Sequence, residues 1–115
     1  MANPDARGRP SPVVLRIVEL KGLAAFEAAD FFSLFERDKE TLGGELVARE
    51  EMMLQPGEQR ASRRELNAET RFVGVIAAYR DIDRSVWRAS MPVTPHQTTP
   101  VRVDVLERQV SLGKQ

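Results

Sequence analysis

The chain has 115 residues, enough for one domain that folds without disulfide or metal support, and its 42% hydrophobic and 30% charged residues are typical of a globular protein. Residues 1–57 hold 7 basic and 10 acidic side chains and residues 58–115 hold 10 and 7, so neither half has the basic excess expected of a nucleic-acid-binding protein. Cysteine is absent, which excludes disulfides, thiolate zinc sites and catalytic thiols.

The first twelve residues predict a flexible arm, because they contain three prolines and a glycine and have no periodic apolar pattern. We therefore expect residues 1–12 to form an N-terminal tether and residues 13–115 to form the single domain. The domain begins with a strand over Val13–Leu20. Its β-branched residues and the apolar side chains on both of its faces indicate a strand that is covered on both sides.

The period becomes helical between Leu23 and Thr41. One helical face, at spacing i, i+3 and i+4, is formed by Phe31, Leu34 and Phe35. Asp30 is positioned to cap this helix, because its carboxylate can accept hydrogen bonds from the free amides of the first turn. A short helix over Leu23–Ala28 precedes it, and Gly43-Gly44 ends the region. We call this region the helical insert, and it spans about residues 22–43.

The rest of the chain reads as closely spaced strands. They are predicted at Glu45–Gln55, Gln59–Leu66, Thr70–Arg80, Val86–Val93 and Val101–Leu112. Glu50 interrupts an apolar face and indicates an edge or a bulge. The strand over Thr70–Arg80 is apolar on both faces, so we expect a second sheet on one side and the helical insert on the other. No alternation of strands and helices occurs, which predicts an all-β, two-sheet antiparallel sandwich with the insert between strands one and two.

The residues that could act in catalysis or bind a metal do not form a site. His96, the only histidine, lies in a loop without a second ligand or an orienting partner, so it indicates neither zinc binding nor general-base catalysis. Asp81 and Asp83 lie in a turn, where aspartate is common, and lack the ligand series of a calcium loop. Glu50 and Glu51 are adjacent in a strand and point to opposite faces. We predict no catalytic, metal or cofactor site and no enzymatic activity.

Two clusters have two interpretations each. Arg60, Arg63 and Arg64 form a local basic cluster, which favours a solvated strand face over a phosphate site. The insert contains a dense aromatic group, Phe26, Phe31, Phe32 and Phe35. Core packing between insert and sheet accounts for most of this group. Phe32 lies off the predicted buried face, so it either packs with the others or contributes to an exposed surface for a partner.

An ordered set of segments carries a resemblance to a known family. The segments are Val14–Lys21, Phe26–Phe35, Leu42-Gly43, Glu45–Glu51, Leu54–Glu58, Phe72–Ile82 and Trp87-Arg88. Together they cover about residues 13–93. In this order they resemble the outer-membrane lipoproteins of bacterial type VI secretion systems, usually called TssJ.

The resemblance implies a transthyretin-like sandwich that sits in the periplasm and is tethered to the outer membrane by a lipidated N-terminal cysteine. It implies that the domain binds the periplasmic C-terminal domain of the inner-membrane protein TssM, and that both form a membrane complex with TssL. The lipidated cysteine is absent from this chain, so we expect residues 1–12 to be the remnant of the tether. Neither a nucleic acid nor a small-molecule substrate is expected.

The segment from Lys21 to Gly44 is the longest excursion between predicted strands, and we expect its exposed positions to contact the partner. These positions are Lys21, Gly22, Lys39, Glu40, Thr41 and Leu42. Phe31 and Leu34 should pack inward instead.

Two other functions compete with this interpretation. A periplasmic carrier would bind a small apolar ligand between its sheets, whereas bulky residues predict a filled core: Phe72, Ile76, Trp87 and Met91. A transthyretin-related hydrolase would need several histidines and arginines at one site, and one loop histidine argues against it.

Overall fold

The structure is a computed structural model that describes residues 12–55, 57–94, 98–106 and 108–114. In chain order its strands are β1 (Val13–Leu20), β2 (Leu46–Leu54), β3 (Gln59–Glu65), β4 (Phe72–Ala77), β5 (Arg88–Pro92), β6 (Thr98–Val105) and β7 (Val110–Lys114). They form a four-stranded sheet, β2-β1-β4-β5, and a three-stranded sheet, β3-β6-β7. All pairs of neighbouring strands are antiparallel. The predicted all-β sandwich is confirmed.

The sequence predicted two helices between β1 and β2, and the structure has three short ones. They are α1 (Ala24–Ala28), α2 (Phe31–Glu36) and α3 (Asp38–Leu42), followed by a 3₁₀ turn over Gly43–Glu45. Asp30 caps α2 by accepting a hydrogen bond of 2.8 Å from the amide of Ser33, which confirms its predicted role. The pKa of the Asp30 carboxyl is lowered because Ser33 donates to it, so the capping carboxylate stays charged.

The four-stranded sheet lies between the other sheet and the helical insert. Residues paired across two antiparallel strands point to the same face. The pairs Leu15↔Ala77 and Ile17↔Val75 therefore face the three-stranded sheet, and the pairs Val18↔Gly74 and Leu20↔Phe72 face the insert. This arrangement confirms that β4 is covered on both sides.

The space between the sheets is filled by aliphatic side chains. Those that are at most 1% exposed include Val13, Leu15, Leu54, Val73, Val75, Val103, Val105 and Val110. Burial of one such side chain stabilises the fold by about 1.5–3 kcal/mol. Met91 belongs to this layer, whereas Phe72 and Ile76 pack on the other face of the sheet, under the insert. Trp87 is partly buried and contacts both layers.

Gly74 lets the insert approach the sheet. A Cβ atom at this position would lie 2.9 Å from Cζ of Phe26 and 3.2 Å from Cγ2 of Val18. We expect Gly74→Ala to lower the free energy of unfolding by about 1–3 kcal/mol, because neither buried neighbour has room to move. Urea denaturation would measure this loss. Combining Gly74→Ala with Phe26→Leu should cost less than the sum of the two single changes, and strict additivity would show that the two positions do not meet.

Tyr79 joins the end of β4 to the turn after β6. Its hydroxyl donates a hydrogen bond of 3.0 Å to the carbonyl of Leu106, and its side chain is 4% exposed. Burial raises the pKa of Tyr79 from the ordinary value of 10.0 to about 12.

Tyr79 is the only tyrosine, so phenolate absorbance reports it without overlap. The folded pKa lies above the unfolded one, so the contribution of Tyr79 to stability is intact below pH 10 and is lost as the pH rises toward 12. We expect the absorbance to titrate near pH 12 in the folded protein and near pH 10 in urea. Coincident midpoints in both solvents would contradict the burial.

Several predicted boundaries are wrong. β4 is shorter at both ends than the strand predicted over Thr70–Arg80, and β6 begins at Thr98, before the predicted start at Val101. The strand predicted over 101–112 is two strands, β6 and β7, separated by a turn in which the amide of Leu106 donates to the carbonyl of Gln109. The helix predicted from Phe31 to Thr41 breaks at Arg37. The strand predicted from Val86 is shorter, because Val86 forms only an isolated parallel bridge with Gln109 before β5 begins.

The irregularity expected at Glu50 lies near Val47, which is the extra residue where the pairing of β1 with β2 shifts register. β2 is at the edge of its sheet, as Glu50 indicated. Some predictions fall outside the described residues: residues 1–11 of the predicted tether, and the part of the loop that holds His96. The side chains of Arg63 and Arg64 are outside them as well.

Candidate docking surface on the helical insert

The insert is closed at its base by Glu45, and we call Lys21, Gly22 and Glu45 the neck. The amide of Lys21 donates to the carbonyl of Glu45 at 2.8 Å, which joins the two ends of the insert. The Glu45 carboxylate accepts a second hydrogen bond of 3.1 Å from the amide of Ala25, in the first turn of α1. One residue therefore fixes where the insert leaves the sheet and how α1 begins.

Gly22 makes room for this carboxylate. A Cβ atom at position 22 would lie 2.5 Å from Oε2 of Glu45. We expect Gly22→Ala to displace the carboxylate and to break its hydrogen bond with Ala25, at a cost of about 1 kcal/mol. Hydrogen exchange of the Ala25 amide would measure the change. The matched change Gly44→Ala, at a position where a Cβ meets no atom within 4 Å, should leave that amide protected. Equal exchange in both variants would contradict the assignment.

An apolar layer attaches the insert to the sheet. Phe26, Leu34 and Leu42 are at most 3% exposed and pack on Val18, Leu20 and Ile76. Phe31 is partly buried in the same layer, and its ring meets that of Trp87 edge to face with centroids 5.3 Å apart. The inward packing predicted for Phe31 and Leu34 is confirmed. The exposure expected of Leu42 is wrong, because this residue closes the layer beside the neck.

Arg88 holds the end of α1. Its Nη1 donates hydrogen bonds of 2.9 Å to the carbonyl of Phe26 and 2.7 Å to that of Ala29, the C-cap residue of α1. A cation placed here also interacts favourably with the negative end of the helix. The guanidinium lies over the ring of Trp87, 4.6 Å from its centroid. Arg88 points away from the space between the sheets, and the insert covers it.

A second ionic contact holds the junction of α2 and α3, and we call Arg16, Asp38, Arg49 and Glu51 the ionic cluster. The Asp38 side chain is 6% exposed and lies 2.6 Å from Nη1 of Arg49 and 3.5 Å from Nη1 of Arg16. Arg16 also pairs with Glu51 at 2.6 Å. Asp38 thus ties α3 to both β1 and β2.

Arg16 supports the preceding helix as well. Its Nη1 donates a hydrogen bond to the carbonyl of Phe35, near the end of α2. Its guanidinium stacks over the ring of Phe35, 4.5 Å from the centroid. Arg16 therefore acts on α2 and α3 together, and it explains how the chain changes direction at Arg37 without leaving the surface of the sheet.

The predicted contact residues occupy two places. Lys21 and Gly22 lie at the start of the insert, and Lys39, Glu40, Thr41 and Leu42 lie on α3. Lys21, Lys39 and Glu40 are exposed, and Nζ of Lys21 lies 3.4 Å from Glu69. Thr41 is partly buried and donates from Oγ1 to the carbonyl of Ser33 at 2.9 Å. Three of the six, Lys21, Lys39 and Glu40, therefore have exposed side chains.

Two open grooves flank β2. One, of about 230 Å³, is lined by Ile17, Glu19, Ala48, Arg49 and Glu50. The other, of about 290 Å³, is lined by Arg16, Arg49, Glu50 and Glu51. Their walls are mostly charged, unlike the apolar pocket that the carrier interpretation requires.

Within residues 12–55, 57–94, 98–106 and 108–114, no group of three or more metal-ligating side chains comes together. No helix in this part of the chain has the length and hydropathy to cross a bilayer.

Comparisons with known proteins agree with this architecture. Residues 1–108 match a family model described as "Type VI secretion lipoprotein, VasD, EvfM, TssJ, VC_A0113". The T6SS lipoprotein TssJ1 from Pseudomonas aeruginosa has a similar crystal structure, with a TM-score of 0.89 and 38% identity over 99% of this chain and 87% of that chain. No curated protein matches.

Two further solved structures contain a similar chain. One, described as the type VI membrane complex, gives a TM-score of 0.81 and 32% identity over 97% of this chain and 88% of that chain. The other, described as the T6SS protein TssM C-terminal domain from EAEC, gives 0.72 and 31% over 97% and 91%.

The fold is thus a two-sheet antiparallel sandwich that holds a helical insert against one face, and it is similar to the fold of solved T6SS lipoproteins. The chain belongs to the type VI secretion lipoprotein family.

Proposed function

We propose that this domain is a non-enzymatic anchoring component of the type VI secretion membrane complex, and that its helical insert docks on the periplasmic C-terminal domain of TssM. In this role the domain is held in the periplasm by a lipid at the outer membrane, through a tether of which residues 1–12 are part. TssL completes the complex.

The observation that carries the proposal is how firmly the insert is held. The neck, Arg88 and the ionic cluster fix three different points of a segment that has only five- and six-residue helices. Helices this short are not stable alone. A segment held in one conformation loses little entropy when it binds, which increases affinity. The similarity to chains in structures described as the type VI membrane complex and the TssM C-terminal domain supports the same role.

Within the insert, the exposed charges of α3 and the neck are the proposed contacts. Lys39 and Glu40 lie one and two residues beyond Asp38, so the ionic cluster sets their direction. Lys21 extends the surface at the neck. Gly22, Thr41 and Leu42 support the proposed contact from beneath, through close approach, the Ser33 hydrogen bond and apolar packing.

Biolayer interferometry of the domain against the TssM C-terminal domain from the same genome tests the proposal. We expect saturable binding, and we expect the double charge reversal Lys39→Glu/Glu40→Lys to weaken it about tenfold or more. The matched reversal Asp83→Lys/Arg84→Glu, on two exposed residues of the 3₁₀ turn before β5, should not. No binding between two folded domains would overturn the proposed function. Unchanged binding of the Lys39/Glu40 variant would overturn only the contact residues.

A further inference from the structure

Phe32 is exposed on a helix whose other aromatic residues are packed. Its side chain is 61% exposed, whereas Phe31 and Phe35 contact the apolar layer beneath α2. Within the described residues the large exposed hydrophobic side chains are Phe32, Met53, Val86 and Leu106, and Phe32 is the aromatic one among them. Exposed aromatic residues on a rigid element are the side chains most often found at the centre of protein interfaces.

The support beneath Phe32 is rigid. The rings of Phe31 and Phe35 stack with centroids 5.2 Å apart, and Phe31 meets Trp87 edge to face. Arg16 holds the end of α2, and Asp30 caps its start. Only the two side-chain torsions of Phe32 remain to be fixed on binding, so it can bury its ring at small entropic cost.

The charged residues that belong to α1, α2 and the link between them are acidic, and the next charge along the chain is Arg37 at the end of α2. Every charged residue between positions 23 and 36 is acidic and exposed: Glu27, Asp30 and Glu36. Glu36 is four residues beyond Phe32 on the same helix, so it lies beside it. A partner must therefore offer a cavity for an aromatic ring and basic groups around it. The acidic rim disfavours an anionic membrane surface as the occupant.

We propose that Phe32 of α2, together with the exposed carboxylates Glu27 of α1 and Glu36 of α2, forms a second part of the docking surface, and that it fits an apolar pocket bordered by lysine or arginine on a protein partner. This inference rests on the proposed function for the identity of that partner, the TssM C-terminal domain. It adds an apolar anchor on α2 to the charged contacts proposed on α3 and at the neck. Burying the ring gives affinity, and the acidic rim speeds encounter with a basic surface.

The test compares two pairs of variants in binding to the TssM domain. We expect Phe32→Ala to weaken binding about 30-fold. Leu106→Ala, which removes a side chain of similar exposure in the turn between β6 and β7, should leave binding unchanged. Both side chains are exposed, so both variants should fold as the wild type does. Equal affinities of Phe32→Ala and wild type would overturn the inference, and so would an equal loss in both variants.

The acidic residues Glu27 and Glu36 are tested separately, through the dependence of the association rate on salt concentration. Glu27→Gln/Glu36→Gln should slow association and reduce its dependence on salt concentration, while the dissociation rate changes little. Asp83→Asn, at an exposed carboxylate outside the insert, is the control and should behave as wild type. A salt dependence that is unchanged in the double variant would overturn the basic partner. The wild-type domain alone is also examined by sedimentation. If it self-associates and Phe32→Ala does not, Phe32 contacts a second copy of this chain, and the proposed partner is wrong.

The two proposals fail in different ways. If wild type does not bind the TssM domain, the proposed function fails and the variants need not be compared. If wild type binds and Phe32→Ala binds equally well, the function stands and the apolar anchor fails.

Discussion

Phe26→Ala should lower the free energy of unfolding by about 3–5 kcal/mol, the largest loss we expect for a single change in this domain. Phe26 is 1% exposed and lies between α1 and the sheet, where its ring touches the backbone position of Gly74. Removing the ring leaves a cavity that β4 cannot fill, because Gly74 has no side chain to move into it. A domain of this size has about 5–15 kcal/mol of stability in total, so the variant should be close to unfolding at growth temperature.

Urea denaturation followed by tryptophan fluorescence would measure this loss. Trp87 is the only tryptophan and contacts Phe31, so its emission reports on the insert as well as on the sheet. Phe32→Ala is the matched control: the same chemical change at an exposed position of the same insert should cost about 0.5 kcal/mol or less. Similar losses at both positions would contradict the burial of Phe26.

Asp38→Ala should cost about 2–3 kcal/mol and should loosen α3 more than the rest of the fold. Asp38 is the buried acid of the ionic cluster. Its loss removes one of the two acidic partners of Arg16, whose side chain is only 12% exposed. The part-exposed Arg49 can reach water instead, which keeps the cost below that of a fully buried pair. Hydrogen exchange of the amides over Asp38–Leu42, alongside urea denaturation, would measure both effects.

Two further variants show how much of the stability loss is specific to the Asp38 charge. Asp38→Asn keeps hydrogen-bonding atoms and removes the charge, so its loss should lie between wild type and Asp38→Ala. Asp83→Ala, at an exposed carboxylate, should change stability by about 0.5 kcal/mol or less. If Asp38→Ala were as stable as wild type, the ionic cluster would not hold the insert.

The strands could be predicted because apolar residues at every second position indicate which face of a strand is buried. The sequence predicted the exact bounds of β1, the cover on both faces of β4, the insert between β1 and β2, and the Asp30 cap, and the structure confirms each. The missed turn between β6 and β7 has a sequence signal: the apolar residues change from odd positions (Val101, Val103, Val105) to even ones (Val110, Leu112). A strand has period two, so this change of parity requires a break even without glycine or proline.

The contacts that hold the insert were harder to predict, because each joins residues far apart in the chain. Arg16 interrupts an apolar strand and so carried a signal, since a charge in a strand covered on both faces needs a partner. Nothing local identified Asp38, 22 residues away, as part of its cluster. The same holds for Arg88, which reaches carbonyls of Phe26 and Ala29 about 60 residues earlier. The sequence predicts an exposed Leu42 because the residue lies in the long excursion between predicted strands, and only the packing against the sheet shows that it is buried.

Hydrogen-exchange mass spectrometry of the domain, alone and bound to the TssM C-terminal domain, tests the central claim that the held insert is the docking element. We expect amides over residues 21–44 to gain protection on binding, with little change in β3, β6 and β7. We also expect the insert to be well protected before binding, because the neck, Arg88 and the ionic cluster already fix it. Protection confined to the three-stranded sheet, or a free insert that exchanges as fast as an unfolded peptide, would contradict the account.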